Sequence, residues 1–251
     1  MGAHRTHRAM WITWYDVPDA EREAYLAWLH ETYIPAVLQR PGVAWGAHYA
    51  SEERSSIVPQ GGGQGRVERH APAGVPDGYR FILMFGADDP YTFVTPTPAG
   101  FHSSLAQDAR AMLALRRGER SNIMVDEARV LGPAAGDDEN DAPGPCIQLG
   151  SFNAVSAAFE DDVADWYAHC RLPSLETLTG CIRGRKLVSI SGWAKHVALY
   201  EFASLAARNE HFVFYERAHP EMEAWSVRVV KNLVHAPHSS NVAQRIWPPL
   251  G

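Results

Sequence analysis

The chain has 251 residues, 46% hydrophobic and 21% charged, a balance that suits a folded globular protein and excludes a disordered or fibrous one. Its formal net charge of −6 leaves no basic footprint for nucleic acid or an anionic membrane, and no apolar run reaches the ~20 residues that cross a bilayer. Met1 to Arg8 has no apolar signal region, and Cys146, Cys170 and Cys181 lack metal-ligand spacing, so the expectation is a cytoplasmic protein with reduced thiols and no metal.

Met10 to Asp16 is aromatic and β-branched and predicts a strand ending at Pro18. A helix is expected from about Ala20 to Leu38, N-capped by Asp19, with Tyr25, Leu26, Leu29, Tyr33 and Val37 on one apolar face and His30 on its flank. Pro41-Gly42 stops it, and Val43 to Ala50 reads as a second strand. Residues 52–78, with Gly61-Gly62-Gly63 and scattered charge, predict a long flexible loop of the kind used as a lid. Tyr79 to Phe85 is a third strand, Phe101 to Arg117 a second helix, and Asn122 to Leu131 a fourth strand.

Residues 133–145 have the composition of a linker, and the series then restarts. Cys146 to Asn153 predicts a strand, Asp161 to Thr177 a helix, Cys181 to Ser189 and Trp193 to Phe202 two strands joined by a hairpin at Gly192. Leu205 to Arg217 is expected to hold a short helix, His219-Pro220 to start a longer one running to about Val234, and Asn241 to Trp247 to be the last strand.

The restart has a marker. Trp28, Pro35 and Gly42 recur as Trp166, Pro173 and Gly180, each pair 138 residues apart. The order β-α-β-β-α-β therefore occurs twice, as a first unit over 9–132 and a second over 146–251. The fold class expected is α+β: two tandem ferredoxin-like units whose four-stranded antiparallel sheets pack face to face, as a sandwich or barrel of eight strands.

Trp28 to Pro35, the aromatic strand before it and Pro41-Gly42 after it resemble the dimeric α/β-barrel superfamily, nearest to its EthD-like members. The resemblance covers most of both halves, apart from the Gly-rich loop and the linker. It implies enzymes without cofactor (monooxygenases, lyases, isomerases, cyclases) for aromatic or polyketide-like substrates, haem proteins of the chlorite-dismutase and peroxidase types, or binding modules. Where the family has a His before the aliphatic-Pro pair, this chain has Tyr33 and Arg171, so that histidine's role does not carry over.

The candidate catalytic residues are His30, Tyr33, His102, His219 and Arg171. His30 and Tyr33 lie three apart on one helix and are neighbours, giving an imidazole beside a phenol for acid–base work near pH 7. The alternative is a core Tyr satisfied by a His. His102 and His219 each stand near a helix start, where the dipole favours neutral imidazole. Arg171 occupies Tyr33's place in the second copy, with either a ligand or a structural carboxylate such as Glu201 as its partner. Candidate substrate-binding residues are Trp14, Trp28, His48, Phe81, Arg185 and His196, since Trp45 and Ala47 of the first copy correspond to Arg183 and Arg185 of the second. These strand positions could instead face solvent, because alternation does not name the inner side.

The function expected is a cofactor-independent lyase, isomerase, dehydratase or cyclase using His/Tyr chemistry on a small apolar oxygenated substrate, with its chemistry in the first half. The alternatives are a haem oxidoreductase of chlorite-dismutase-like architecture and a non-catalytic small-molecule binder. As a tandem repeat can close its own sheet pair, either a monomer or a homodimer is expected.

Overall fold

The computed structural model describes residues 7–53, 56, 69–136, 142–212, 215 and 219–250. The Gly-rich segment at 61–63, the middle of the linker and part of 205–217 lie outside them. The strands are β1 (Ala9–Asp16), β2 (Val43–Ser51), β3 (Arg69–His70), β4 (Phe81–Ala87), β5 (Arg117–Leu131), β6 (Cys146–Ala154), β7 (Cys181–Ser191), β8 (His196–Phe202), β9 (Leu233–His235) and β10 (Asn241–Trp247).

Within the first half the order is β5-β1-β4-β2, and within the second β10-β6-β8-β7. The halves join edge to edge, β5 with β7 and β10 with β2, and the β10–β6 pairing closes the ring. The eight long strands therefore form one closed antiparallel barrel. Of the two arrangements expected, sandwich or barrel, the barrel is found: four otherwise bare edges find backbone partners in the opposite half, so none of the eight long strands is left with an open edge. The short β9 pairs antiparallel with β6, and β3 pairs parallel with β9.

Closure buries both faces of the strands. Met10, Ile12 and Trp14 point into the barrel with Trp45, Ala47, Tyr49, Leu187 and Leu199. Trp11 and Tyr15, on the alternate positions, point outward under the helices. β4 and β8 are buried along their whole length, which is why alternation was hard to read there. Trp45 crosses the sheet at Gly86, where any Cβ would fall inside its indole ring.

One end of the barrel holds an ion cluster. Arg183 meets Glu201 through Nε and Nη2 at 3.0 and 2.9 Å, and Arg185 Nε donates to the same carboxylate at 3.0 Å. Asp126 lies 3.7 Å from Arg185 and takes Arg129 at 2.6 Å. Pro143 and Gly144 reach this end, their carbonyls accepting from the Tyr49 hydroxyl, and the Gly144 N–H donates to Glu201. The lumen is a packed core closed by the end of the linker.

The first helical arm runs as α1 (Arg22–Trp28), a π turn (Leu29–Tyr33) and α2 (Ile34–Leu38). The second half repeats this with α6 (Glu160–Trp166), a π turn (Tyr167–Arg171) and a 3-10 turn (Pro173–Leu175). A proline closes both of these widened turns, one residue after the wide bond's donor. Pro35 and Pro173 have no N–H for the carbonyl four residues back, and each ring crowds that carbonyl. In the turn before each proline the bond spans five residues, from Ile34 N–H to Leu29 O and from Leu172 N–H to Tyr167 O. The repeated glycine has a backbone reason too, since Gly42 and Gly180 take φ of +86° and +76°.

The helix expected over Phe101 to Arg117 is broken. It appears as α4 (Pro98–Ser104) and α5 (Gln107–Leu113), with Leu105 and Ala106 extended between them, and a further short helix, α3 (Tyr91–Val94), precedes them. In the second half α7 (Leu205–Ala207) leads into a third π turn (Arg208–Phe212), and α8 (Pro220–Val230) packs on α6. Among the described residues no helix is long and apolar enough to cross a membrane.

Candidate active site

Between the first helical arm and the outward face of β1, β2 and β4 lies a buried polar network. The His30 Nε2 and His48 Nδ1 atoms are 2.8 Å apart, and the other nitrogen of His48, Nε2, is 2.8 Å from the Tyr15 hydroxyl. Tyr15 neighbours Tyr25, whose hydroxyl accepts from Arg116 Nε at 2.6 Å. The Arg116 guanidinium lies 4.5 Å from the Tyr15 ring centre and 5.3 Å from that of Tyr33. It also pairs with Glu119 at 2.7 Å. A second arm joins the Tyr33 hydroxyl to His102 Nε2 at 2.7 Å. Trp28 packs over Tyr25 and Tyr33, and Phe81 stacks on Tyr15 and His48.

The widened turn carries His30 and Tyr33 together, while β2 presents His48 on the face opposite Trp45 and Tyr49. Arg116 arrives from the turn between α5 and β5. Its Nη2 is buried without a hydrogen-bond partner among the described residues. A buried guanidinium N–H left unbonded is costly, so it marks a place where an anion or carbonyl oxygen would be stabilised.

The electrostatics favour neutral imidazoles. Burial lowers the pKa of His30, and burial followed by the charges of His30 and Arg116 pushes His48 well below its ordinary value. His102 is pushed down to about 4, by burial first and then by Arg116. Burial raises Tyr15, Tyr25 and Tyr33, partly opposed by Arg116. At neutral pH the network therefore consists of neutral imidazoles and phenols around one cation.

The neutral chain His30–His48–Tyr15 has two self-consistent proton arrangements. In one, Tyr15 donates to His48 and His48 to His30, leaving His30 Nδ1 protonated. In the other the bonds run the opposite way and Nδ1 is an open acceptor. The same side chain can thus give or take a proton at Nδ1, and the relay exchanges the two states.

A groove of about 1190 Å³ runs along the outside of β10, with Arg22, Leu26, Ala50, Phe81 and Ile246 on one wall. His30 follows Leu26 by one helical turn and stacks on Trp247, the residue after Ile246. Phe81 belongs both to the groove wall and to the network. Arg208, Gln148, His235 and Asn241 line the far wall.

Of the residues singled out from the sequence, His30, Tyr33, His102, His48, Phe81 and Trp28 come together here. The others do not. Trp14 points into the barrel, with the Arg120 guanidinium 3.9 Å from its ring centre, and Arg185 is held in the lumen by Glu201. Arg171 lies in the second helix–sheet layer, bonded to the Tyr200 hydroxyl at 3.2 Å and packed on Phe212. Glu201 faces the lumen on the other side of the sheet, serving Arg183 and Arg185. His219 stacks on Tyr215 and bonds its carbonyl. His196 lines a separate cavity. Arg116, Tyr15 and Tyr25 were missed as site residues. Tyr25 was marked by its place on the same helical face as Tyr33, whereas nothing local distinguishes Arg116 from Arg117.

The element order and closed barrel define the dimeric α/β-barrel fold, with ferredoxin-like halves, and solved structures share it. An anthrone oxidase-like protein superposes with a TM-score of 0.61 at 10% identity, over 98% of this chain and 94% of the other. A candidate monooxygenase from Fusobacterium nucleatum subsp. nucleatum gives 0.57 at 9% identity, over 96% and 93%. A candidate chlorite dismutase gives 0.54 at 10% identity, over 96% and 95%. No family model and no curated protein sequence matches the chain. At such identities the likeness defines the fold and leaves the activity to the site.

Haem, raised by the resemblance, can be tested against the packing. A porphyrin needs a flat slot with an axial ligand, most often an imidazole, aimed into it. In the second half the described space between helices and sheet is filled by Phe152, Trp166, Tyr167, Leu175, Tyr200 and Phe212 around Arg171. In the first half both nitrogens of His48 are engaged, and the Nε2 atoms of His30 and His102 are taken. These packed residues leave no porphyrin-sized slot beside Arg171 or His48 among the described residues. Among the described residues, no group of three or more His, Cys, Asp or Glu side chains could hold a metal ion.

Proposed function

We propose that the protein is an enzyme catalysing proton transfer at an acidic C–H of a small, apolar, oxygenated aromatic compound, without a cofactor. The observation that carries this reading is the relay His30–His48–Tyr15, one end beside the groove and the other beside a buried, incompletely bonded Arg116. Substrate lies against Leu26, Phe81 and Ile246, and His30 takes the proton at Nδ1. With burial, Arg116 holds His48 neutral before the proton arrives, so that the relay is ready to accept it. Tyr33, held by His102, supplies a second phenol near the developing oxyanion. Return of the proton to another atom gives isomerisation, and loss of a leaving group gives elimination; a lyase or isomerase is the class that this machinery serves.

Anthrone is a suitable probe, because removal of its C10 proton yields a stabilised oxyanion. The measurement is enzyme-dependent exchange of that proton for deuterium in D2O under nitrogen, followed by NMR. General-base catalysis contributes roughly 10²–10⁴-fold, so His30→Ala should remove an acceleration of that order. Tyr15→Phe should lower it while leaving groove binding intact. Unchanged exchange in His30→Ala, Tyr33→Phe and His102→Ala would sink the proposal. Haem binding, by contrast, rests on fold likeness alone; added haemin should produce no stoichiometric Soret band.

A further inference from the structure

The second half contains a site built on the same plan with different chemistry. In the first half Phe81 pairs with both Tyr15 and Ala50; in the second, His196 pairs with both Phe152 and Val188. Lys186 thus stands on β7 where His48 stands on β2, and His196 stands where Phe81 does. An amine and an imidazole have replaced an imidazole and a phenyl ring.

The group is compact. Lys186 Nζ lies 2.7 Å from His196 Nδ1 and 2.8 Å from Glu127 Oε2. His196 Nε2 is 2.7 Å from Glu160 Oε2, which Lys195 also reaches at 2.8 Å. The Lys186 side chain is almost wholly buried, 5.3 Å from the Tyr167 ring centre. It lines a cavity of about 350 Å³ together with Val163, Ala164, Val188, Glu127, Glu160, Asp161, Lys195 and His196.

Residue choice supplies an independent argument. The chain has 23 basic side chains, and all are arginine except Lys186, Lys195 and Lys231. Two of those three line this cavity. Guanidinium serves wherever the chain needs a fixed buried cation, as at Arg116, Arg171 and Arg185. An amine differs in that it can lose its proton and act as a nucleophile. Burial lowers the pKa of Lys186, opposed by Glu127, and burial then Lys186 lower that of His196. A neutral His196 donating from Nε2 to Glu160 keeps Nδ1 as an acceptor for the amine.

We propose that Lys186 is a carbonyl-reactive amine, and that the cavity admits a small neutral aldehyde or ketone which it binds as an imine. Lys186 passes a proton to Glu127 or His196, and the freed lone pair forms the N–C bond as the C=O π pair moves to oxygen. That oxygen takes back the proton passed to His196 or Glu127, nitrogen gives up its second proton, the hydroxyl leaves with a proton as water, and loss of the last N–H proton from the iminium gives the imine. One amine and one carbonyl become one imine and one water, with no change in oxidation state. Val163, Ala164 and Val188 favour an apolar body, and three carboxylates against two amines disfavour an anionic one.

The test uses the folded, full-length protein with propanal and cyanoborohydride at neutral pH, mapping propyl groups by peptide mass spectrometry. Lys186 should be modified faster than Lys195 and Lys231, by roughly tenfold for each unit by which its pKa has dropped. His196→Asn should reduce that lead while leaving Lys231 unchanged. Modification of Lys186 no faster than that of Lys231, or only after unfolding in urea, would overturn the proposal and mark a structural ion pair. Because the readout is labelling at Lys186, failure of anthrone exchange in the other half does not bear on it.

Discussion

Arg116→Gln is the perturbation that most directly tests the electrostatic centre of the first half. The guanidinium donates to the Tyr25 hydroxyl at 2.6 Å, faces the Tyr15 and Tyr33 rings and pairs with Glu119. A hydrogen bond to a charged group contributes about 1.5–3 kcal/mol, and a desolvated cation–π contact up to about 2 kcal/mol. Against this, the substitution relieves the desolvation of a cation whose Nη2 is unbonded, worth about 1–3 kcal/mol. The net expectation is a loss of roughly 1–2 kcal/mol in urea unfolding at pH 7. His102 should respond as well. Its pKa of about 4 owes most to burial and next to Arg116, so NMR titration should show it rising while staying below the ordinary 6.5. Arg116→Lys, which keeps the charge, should leave His102 nearer its wild-type value. A variant of unchanged stability with an unchanged His102 titration would refute the role given to Arg116.

In the barrel, Glu201→Gln leaves Arg183 and Arg185 without their shared carboxylate, and breaking such a buried set costs about 3–5 kcal/mol; a loss below about 1 kcal/mol in chemical denaturation would contradict this packing. Acid should also weaken the fold. His102 and His235 are both held down at about 4, so between 6.5 and 4 the unfolded chain takes up protons that the native state refuses. Stability is therefore full above pH 6.5 and falls as pH drops toward 4, by up to about 3 kcal/mol for His102, reduced to roughly 2 kcal/mol by its partial exposure. Urea midpoints at pH 7 and pH 4.5 for wild type and His102→Gln measure that share; equal pH dependence in the two would count against it.

The recurrence of Trp, Pro and Gly at a constant spacing gave the element order, because each of these residues answers to a local backbone demand. Proline removes an N–H, glycine accepts positive φ, and the strands between them are runs of β-branched and aromatic residues. The spacing placed His30 and Tyr33 within one helical turn, but their partners, His48 and His102, come from elsewhere in the chain. The π geometry of that turn was not read from the pattern.

What the tertiary structure decided is which face of each strand meets which partner. β1 and β2 are apolar on both sides because one side fills the barrel and the other meets the helices, so alternation alone left Trp14 and Tyr15 equivalent. Closure sends Trp14 and Arg185 into the lumen and Tyr15 and His48 to the site. It likewise separates Arg171 and His219 from the first-half histidines, and brings in Arg116 from nearly seventy residues beyond His48. Local sequence determines turns, helices and strands through short-range backbone chemistry; the meeting of Arg116 with three tyrosines depends on long-range sheet closure, which no nearby residue encodes.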